Sequence, residues 1–315
     1  MRNHQFFRSK NHLKAVLQAL LVTVLWSSSM ILIKVGFKDG LPPITFAGLR
    51  YWFAFLCLAV LVLANPSQRE SLSTIPRSHW IQLSMLGLIF YTITQGTHFT
   101  GLTFLPAKTM SLIFNFSPIF IAIASGLLKK EAASLQQWIG ILLSISGALI
   151  YFSPLGGSTG PILGYIIALV GIMAGSTSSI LGRQINLHSG LSPLVITTVS
   201  MGIGSSLLLL IGGMTQGFGG LGLTQWLIIA WLAIVNTAFA FTLWNTALRT
   251  LTAVEASIIN NFILPQVAIL EWVFLHEPLT ARQILAIILI LIGSIIVQLK
   301  RRGTRGKNPS KIKSV

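Results

Sequence analysis

Charged residues are scarce in this 315-residue sequence, and acidic residues are the scarcest. Only 9% of the residues are charged, with six Asp and Glu against twenty-two Lys and Arg, while 53% are hydrophobic. The mean hydropathy is +0.78. A soluble domain has about a quarter of its residues charged, and those charges cover its surface. This shortage of charge excludes an ordinary soluble protein and indicates that lipid surrounds most of the chain.

Several catalytic and metal-binding patterns are also missing. The single cysteine, Cys57, permits no internal disulfide, and the six histidines are scattered one per segment without metal-ligand spacing. There is no Walker A glycine–lysine loop, which argues against direct use of ATP. An enzyme acting within the membrane would need an acid–base or metal cluster that the sequence lacks. We therefore predict no metal, no cofactor and no enzymatic activity.

The basic residues that produce the formal charge of +16 lie mainly outside the apolar segments. Seven of them fall in residues 300–315, and Arg2, Arg8, Lys10 and Lys14 precede the first apolar segment. Basic residues that flank apolar segments are typical of membrane proteins, and no basic domain is left to bind a duplex. We expect no nucleic-acid partner, and we interpret 300–315 as a basic cytoplasmic tail.

Ten apolar segments have the length of about twenty residues that crosses ~30 Å of hydrocarbon. Their hydrophobicity is continuous rather than alternating, which favours helices over a barrel because helices satisfy their own backbone groups in lipid. The predicted fold class is an all-α integral membrane protein with ten transmembrane helices. We number the segments spans 1 to 10, and they cover 13–35, 43–63, 80–100, 107–128, 135–152, 162–183, 192–211, 225–246, 254–275 and 281–299.

The distribution of Lys and Arg predicts which side holds the termini, since an even number of spans puts both on one side. That side would carry Arg2, Arg8, Lys10, Lys14, Arg69, Arg77, Lys129, Lys130, Arg183, Arg249 and the seven bases of the tail. The opposite side carries Lys34, Lys38, Lys108 and Arg282. Basic loops stay in the cytoplasm, so both termini are expected there.

The second half of the sequence repeats the first at an offset of 146 residues. Residues 111–116 (SLIFNF) align with 257–262 (SIINNF), and a proline follows each motif, Pro118 and Pro265. Nearer the N-terminus the offset drifts, so that Pro43 pairs with Pro193. Chance alignment of apolar segments is the competing explanation. Five spans per half is an odd number, so the two repeats would enter the membrane from opposite sides, as in secondary transporters.

These motifs resemble the drug/metabolite transporter superfamily, and specifically ten-helix bacterial proteins built of two EamA domains. The resemblance rests on 25–29 (LWSSS), 43–50, 115–118 (NFSP), 236–244 (NTAFAFTLW), the stretch from Pro265 to Thr280, and Gly293. It implies two inverted five-helix repeats, 13–152 and 162–299, around a central cavity lined by spans 1, 3, 4, 6, 8 and 9. It also implies a bacterial inner-membrane protein that exports or exchanges amino acids, related metabolites or drugs with protons.

Polar side chains near the centres of the spans are the candidate substrate-binding residues. Because a polar group facing lipid is costly, such residues should face a cavity or another helix. The candidates are Trp26, Ser27, Tyr91, Gln95, Asn115, Ser176, Asn236 and Asn261. None is charged, which suits a zwitterion or a polyol better than a multiply charged anion. Hydrogen bonding between helices is the alternative role for each of them.

A second group of residues is a candidate for gating or coupling. Pro118 and Pro265 each free a backbone carbonyl one turn earlier and allow a helix to bend, either as a gate or as a purely structural kink. Glu271 could bind a proton or a substrate ammonium, with Arg50 as its natural partner, or form a static ion pair. Glu255, Arg183 and Arg249 are expected at the inner mouth in contact with solvent.

Together these features predict a secondary transporter, in particular an exporter of a small polar metabolite, that works by alternating access and couples to protons. Its partners would be the small-molecule substrate, the lipid bilayer and protons. A membrane sensor or scaffold subunit that does not transport is the alternative class. Any oligomeric state is compatible with the sequence.

Overall fold

The computed structural model describes residues 10–36, 42–128, 132–153, 160–275 and 279–298. The predicted basic tail, 300–315, lies outside these residues. Helices form every predicted span, and no strand occurs in the described residues. Spans 1, 2, 5, 6, 7 and 10 are single helices, which cover Lys10–Gly36, Pro43–Ala64, Leu135–Phe152, Ile162–His188, Pro193–Gln216 and Ala281–Gln298.

The other four spans contain irregularities. Spans 3 and 8 each contain a π-helical segment between two α-helical segments. In span 3 the π-helical segment is Leu88–Thr94, between Arg77–Gly87 and Gln95–Phe104. In span 8 it is Ile234–Phe239, between Leu223–Ala233 and Ala240–Ala247. Spans 4 and 9 are broken in the middle, into Ala107–Phe114 and Ser117–Leu127, and into Ala253–Asn260 and Ile263–Leu275. A short exposed helix that the sequence did not predict, Pro66–Ser73, joins spans 2 and 3.

Nine helices in the described part of the chain are long and apolar enough to cross a membrane. Span 3 is the exception, although it is helical without interruption from Arg77 to Phe104. It is less apolar because it contains His79, Gln82, Gln95 and several threonines. Tyr91 and Thr94 of this span are buried among the other spans, whereas Gln82 is exposed and His79 and Gln95 are partly buried. The chain is therefore an all-α membrane protein with ten spans.

The structure confirms the repeat at the same offset of 146 residues. The π-helical segments begin at Leu88 and Ile234, and the broken spans begin at Ala107 and Ala253. Span 5 starts with a capping box in which the Ser134 side chain accepts from the backbone amide of Gln137. At the start of span 10, the Thr280 hydroxyl likewise accepts from the backbone amide of Gln283, at 3.3 Å. Chance alignment of apolar segments would not reproduce these local features, so the two halves are homologous.

The packing of the spans is the same when the two halves are exchanged. Span 1 packs against spans 8 and 9, and span 6 correspondingly packs against spans 3 and 4. Span 2 packs most extensively on its own counterpart, span 7, and span 5 on span 10. Such an exchange relation is expected of two inverted repeats related by a pseudo-two-fold axis. Groups near that axis are contributed by both halves.

Candidate functional site

Arg50 is a buried cation in the middle of the bundle. It lies on span 2 with 5% of its surface exposed, although its side chain carries a charge. Its Nε donates to the Thr237 hydroxyl at 2.7 Å, and a terminal nitrogen donates to the Asn236 carbonyl at 3.4 Å. Both acceptors belong to the π-helical segment of span 8. The guanidinium also lies 5.6 Å from the centre of the Tyr51 ring, within cation–π range.

Tyr51 connects this cation to a group of aromatic rings on neighbouring spans. Tyr51 lies edge-on to Tyr91 of span 3, with ring centres 5.5 Å apart, and Tyr91 is 5.7 Å from Phe241 of span 8. Trp26 of span 1 packs 4.9 Å from Phe241 and 5.1 Å from Trp244. These contacts bring spans 1, 2, 3 and 8 together. We call the whole set the arginine–aromatic cluster: Trp26, Arg50, Tyr51, Tyr91, Asn236, Thr237, Phe241 and Trp244.

Two polar groups of this cluster have no hydrogen-bond partner in the described residues. Asn236 is fully buried, and its amide nitrogen donates to the Leu25 carbonyl and, at 3.0 Å, to the Ser28 hydroxyl. In the described residues, no donor reaches its side-chain oxygen, and no acceptor lies within hydrogen-bond distance of the Trp26 indole nitrogen. Unpaired buried polar atoms are rare and costly, so they mark a place where a ligand or water completes the set.

The breaks of spans 4 and 9 meet each other. The Asn261 amide nitrogen lies 3.4 Å from the Asn115 carbonyl and 3.4 Å from the Ser144 hydroxyl of span 5. The Asn115 amide turns back on its own helix and donates to the Ser111 carbonyl at 2.8 Å. Asn115 and Asn261 occupy the same position of the two repeats, so this contact lies at the exchange axis. We call Asn115, Pro118, Ser144, Asn261 and Pro265 the span-break cluster.

The two prolines lie just after these breaks and are both buried. Pro118 has no amide hydrogen, so it cannot donate to the Phe114 carbonyl one turn earlier. Pro265 likewise cannot donate to Asn261, whose carbonyl accepts at 3.3 Å from the Leu264 amide instead. The structure therefore contains the predicted discontinuities. Whether they act as a gate stays a prediction.

Ser27 joins span 1 to the second half of span 9. Its hydroxyl contacts the side-chain oxygen of Gln266 at 2.9 Å, and the Gln266 amide donates to Thr23 at 3.1 Å. The arrangement is that of an interhelical hydrogen bond, the alternative considered for these residues. Gln266 itself was not among the predicted residues, because one Gln after a proline gives no signal without knowing which helix it faces.

No described hydrogen bond or ring contact links two other predicted residues to either cluster. Ser176 of span 6 is 3% exposed, and its hydroxyl has no hydrogen-bond partner in the described part of the chain. Gln95, which follows the π-helical segment of span 3, is partly buried. The structure thus gathers Trp26, Arg50, Tyr91 and Asn236 in one cluster, and Asn115 and Asn261 with both prolines in the other. Substrate binding by any of them stays a prediction.

The gating pair of Glu271 and Arg50 also stays a prediction. Glu271 is partly buried on the second half of span 9, which packs against span 1. The described hydrogen bonds of Arg50 go to span 8, and none of them is to Glu271. The structure therefore explains how Arg50 is held without requiring that acid.

The expectation of solvated charges at the inner mouth is wrong for two of three residues. Glu255 is 1% exposed and Arg183 is 7% exposed, whereas Arg249 is exposed. Glu255 folds back on the start of span 9, where its carboxylate accepts from the Thr252 amide at 2.9 Å. This capping box places the anion at the positive end of a helix and removes it from solvent.

A buried hydrogen-bond network that the sequence did not indicate lies at this end of the bundle. The Asn186 amide donates to the Asn245 side-chain oxygen at 2.7 Å, and the Asn245 amide donates to the Thr197 hydroxyl at 2.9 Å. These residues connect spans 6, 7 and 8. No group of three or more potential metal ligands occurs in the described residues.

Comparison with known proteins agrees with this architecture. A crystal structure of another protein superimposes with a TM-score of 0.74 at 18% identity, covering 90% of this chain and 96% of that one, which shows the same fold. The uncharacterized transporter YvbV of Bacillus subtilis (strain 168) is 26% identical over 92% of this chain and 93% of its own length. A probable amino-acid metabolite efflux pump of Escherichia coli (strain K12) is also 26% identical, over 88% of this chain and 92% of its own.

The profile of the EamA-like transporter family matches two stretches, residues 13–153 and 162–299. They correspond to the two homologous halves, and together they cover nearly the whole chain. The protein is therefore a ten-span membrane transporter that belongs to the EamA-like transporter family, within the drug/metabolite transporter superfamily.

Proposed function

We propose that this transporter is a secondary exporter of a small polar metabolite such as an amino acid. It works by alternating access between its two halves, couples export to protons, and lies in the bacterial inner membrane with both termini in the cytoplasm. The relative named as a probable amino-acid metabolite efflux pump supports the substrate class. The excess of Lys and Arg on the side of the termini supports the orientation.

The observation that carries the proposal is the contact between Asn115 and Asn261. Each asparagine ends the first half of a broken helix, and the two helices come from different repeats. A broken helix can change its bend at low cost, because the backbone hydrogen bonds that would hold it straight are already missing. Movement of one repeat therefore passes directly to the other at the centre of the bundle, as alternating access requires.

Transport is tested with the purified full-length protein in proteoliposomes. Uptake of a panel of amino acids, sugars and dyes is measured with and without an imposed pH gradient. We expect saturable flux of at least one polar metabolite, increased by the gradient. If no transported compound moves together with protons, the transporter is not proton-coupled, and Glu271 has no part in the mechanism as a proton-binding group. Saturable binding without flux would favour the sensor or scaffold class.

The Asn261→Leu variant tests the role of the span-break cluster. Leucine keeps the side-chain volume but removes the amide that contacts both Asn115 and Ser144. Flux of the transported compound should therefore fall about tenfold, which corresponds to ~1.4 kcal/mol on the conformational barrier. The matched variant Asn308→Leu, which lies outside both repeats, should keep wild-type flux. Equal flux in both variants, with equal amounts of folded protein, would show that this contact does not control the cycle.

A further inference from the structure

The two repeats differ in charge at one equivalent position. Arg50 lies seven residues after Pro43, which starts span 2, and Ser200 lies seven residues after Pro193, which starts span 7. The second half of the chain therefore has a hydroxyl where the first half has a guanidinium. Both side chains are buried, with 5% and 1% of their surface exposed.

The two residues also hydrogen-bond differently. Arg50 donates to Thr237 in the π-helical segment of span 8, whereas the Ser200 hydroxyl donates to the Ile196 carbonyl of its own helix at 2.6 Å. Span 7 nevertheless packs against span 3, as span 2 packs against span 8. A charged side chain at this position is thus not needed for such packing, and the charge of Arg50 has another role.

The charge of Arg50 is not balanced by a carboxylate in the described residues. A guanidinium has five N–H donors, and two atoms of Arg50 make described hydrogen bonds, one of them long at 3.4 Å. Burying a charge without an opposite charge is expensive, and an anion that bound beside Arg50 would offset that cost. Guanidinium binds carboxylate well because its paired donors match the two carboxylate oxygens.

The neighbouring unpaired acceptor indicates what accompanies the anion. The side-chain oxygen of Asn236 is buried and has no donor in the described residues, and the backbone carbonyl of the same residue touches Arg50. An unpaired oxygen acceptor on the residue whose backbone contacts the guanidinium suits a ligand that carries an ammonium group as well as a carboxylate, as an α-amino acid does. The aromatic rings of Trp26, Tyr91 and Phe241 offer apolar faces for the rest of such a molecule.

We infer that the arginine–aromatic cluster is the substrate site and that it recognises α-amino acid zwitterions. Arg50 binds the α-carboxylate, the Asn236 side-chain oxygen accepts from the α-ammonium, and the aromatic rings contact the side chain. The inference rests on the proposed function and specifies its substrate class. Tyr51 and Tyr91 are only 4% and 2% exposed, so a ligand reaches the cluster only after the surrounding spans separate.

The π-helical segments explain how such a site is formed in the middle of two spans. A π-helical segment widens the helix, is rare, and frequently occurs at functional sites. In span 8 this segment contains Asn236 and Thr237, and in span 3 it contains Tyr91. Both segments therefore contribute to the same cluster from opposite repeats.

The test measures ligand binding to the purified full-length protein in detergent, by thermal stabilisation. The ligands are the twenty L-amino acids and, for each one that binds, the matching amine that lacks the α-carboxylate. Wild-type protein should bind at least one amino acid, and its amine about tenfold or more weakly, as loss of a charged hydrogen-bonded pair predicts. In Arg50→Gln, the amino acid should lose that advantage while affinity for the amine changes less than about twofold, because the amine makes no contact with the guanidinium.

Two controls separate recognition from folding. Arg69→Gln, at an exposed arginine between spans 2 and 3, should keep wild-type affinities, and Arg50→Lys should restore part of the carboxylate preference. The inference is overturned if no amino acid binds, or if Arg50→Gln weakens the amino acid and its amine equally. Proteoliposome flux of sugars or dyes would in that case leave the proposed function standing. Absence of flux for every compound would remove the proposed function instead.

Discussion

At the scale of single residues, glycines set how closely the two repeats approach. A Cβ atom added to Gly140 of span 5 would lie 2.5 Å from the Gly293 carbonyl oxygen of span 10. In return, a Cβ atom on Gly293 would lie 2.6 Å from the Gly140 carbonyl oxygen. These contacts are between backbones, which cannot rotate away as a side chain can. Small residues of this kind are how membrane helices pack without a hydrophobic driving force between them.

The Gly293→Ala variant should therefore lower stability. We expect the free energy of unfolding in mixed micelles to fall by about 1–3 kcal/mol, the usual result of overpacking a close contact. Gly126→Ala is the matched control, because no atom lies within 4 Å of the added Cβ atom. The control should be neutral or slightly stabilising, since alanine favours helix by up to about 1 kcal/mol over glycine. Equal stability of the two variants would contradict the close packing of spans 5 and 10.

Residue-level chemistry was only partly predictable. Trp26, Asn236 and Asn261 stand out in the sequence because polar groups at mid-span must face a neighbour. Their neighbours do not stand out, because hydropathy gives the position of a residue along a helix and not the rotation of that helix. Gln266, Ser144 and the network of Asn186 and Asn245 were missed for this reason. The burial of Glu255 was missed because its capping box hides the charge at a helix start.

At the scale of the elements, the proposed mechanism depends on the helix irregularities. Apolar length predicted all ten spans to within a few residues, and the proline motifs predicted the breaks in spans 4 and 9. The π-helical segments were not predictable, because one extra residue in a helical turn leaves hydropathy unchanged. One of them contains Thr237, which accepts a hydrogen bond from Arg50 of span 2.

Straightening span 9 should slow the transport cycle. In Pro265→Ala the new backbone amide can donate to the Asn261 carbonyl. This added hydrogen bond of ~1 kcal/mol must break each time the helix bends, so flux should slow about five- to tenfold. Substrate affinity should stay within about threefold, because the arginine–aromatic cluster lies on other spans. Pro193→Ala is the control, since a proline at the first position of a helix replaces no hydrogen bond. Unchanged flux in Pro265→Ala would show that the break is only structural.

At the scale of the whole molecule, the account depends on the two halves crossing the membrane in opposite directions. Each repeat has an odd number of spans, equivalent elements are separated by a common sequence offset, and the contacts between spans are preserved when the two halves are exchanged. All three features are expected of that arrangement. The inversion also lets two spans that begin on opposite sides meet at Asn115 and Asn261. Charge is not duplicated with the fold, since Arg50 has Ser200 as its counterpart. The first half therefore supplies the cation of the proposed site.

The most direct test of this central claim is the sidedness of two equivalent loops. In a Cys57→Ser background, single cysteines are placed at Ser67, between spans 2 and 3, and at Gly220, between spans 7 and 8, both exposed positions. Labelling of intact cells with a membrane-impermeant maleimide should modify Gly220→Cys, whereas Ser67→Cys should react only after the membrane is opened. Reaction of both cysteines from the same side would contradict inverted repeats, and with them the alternating-access account.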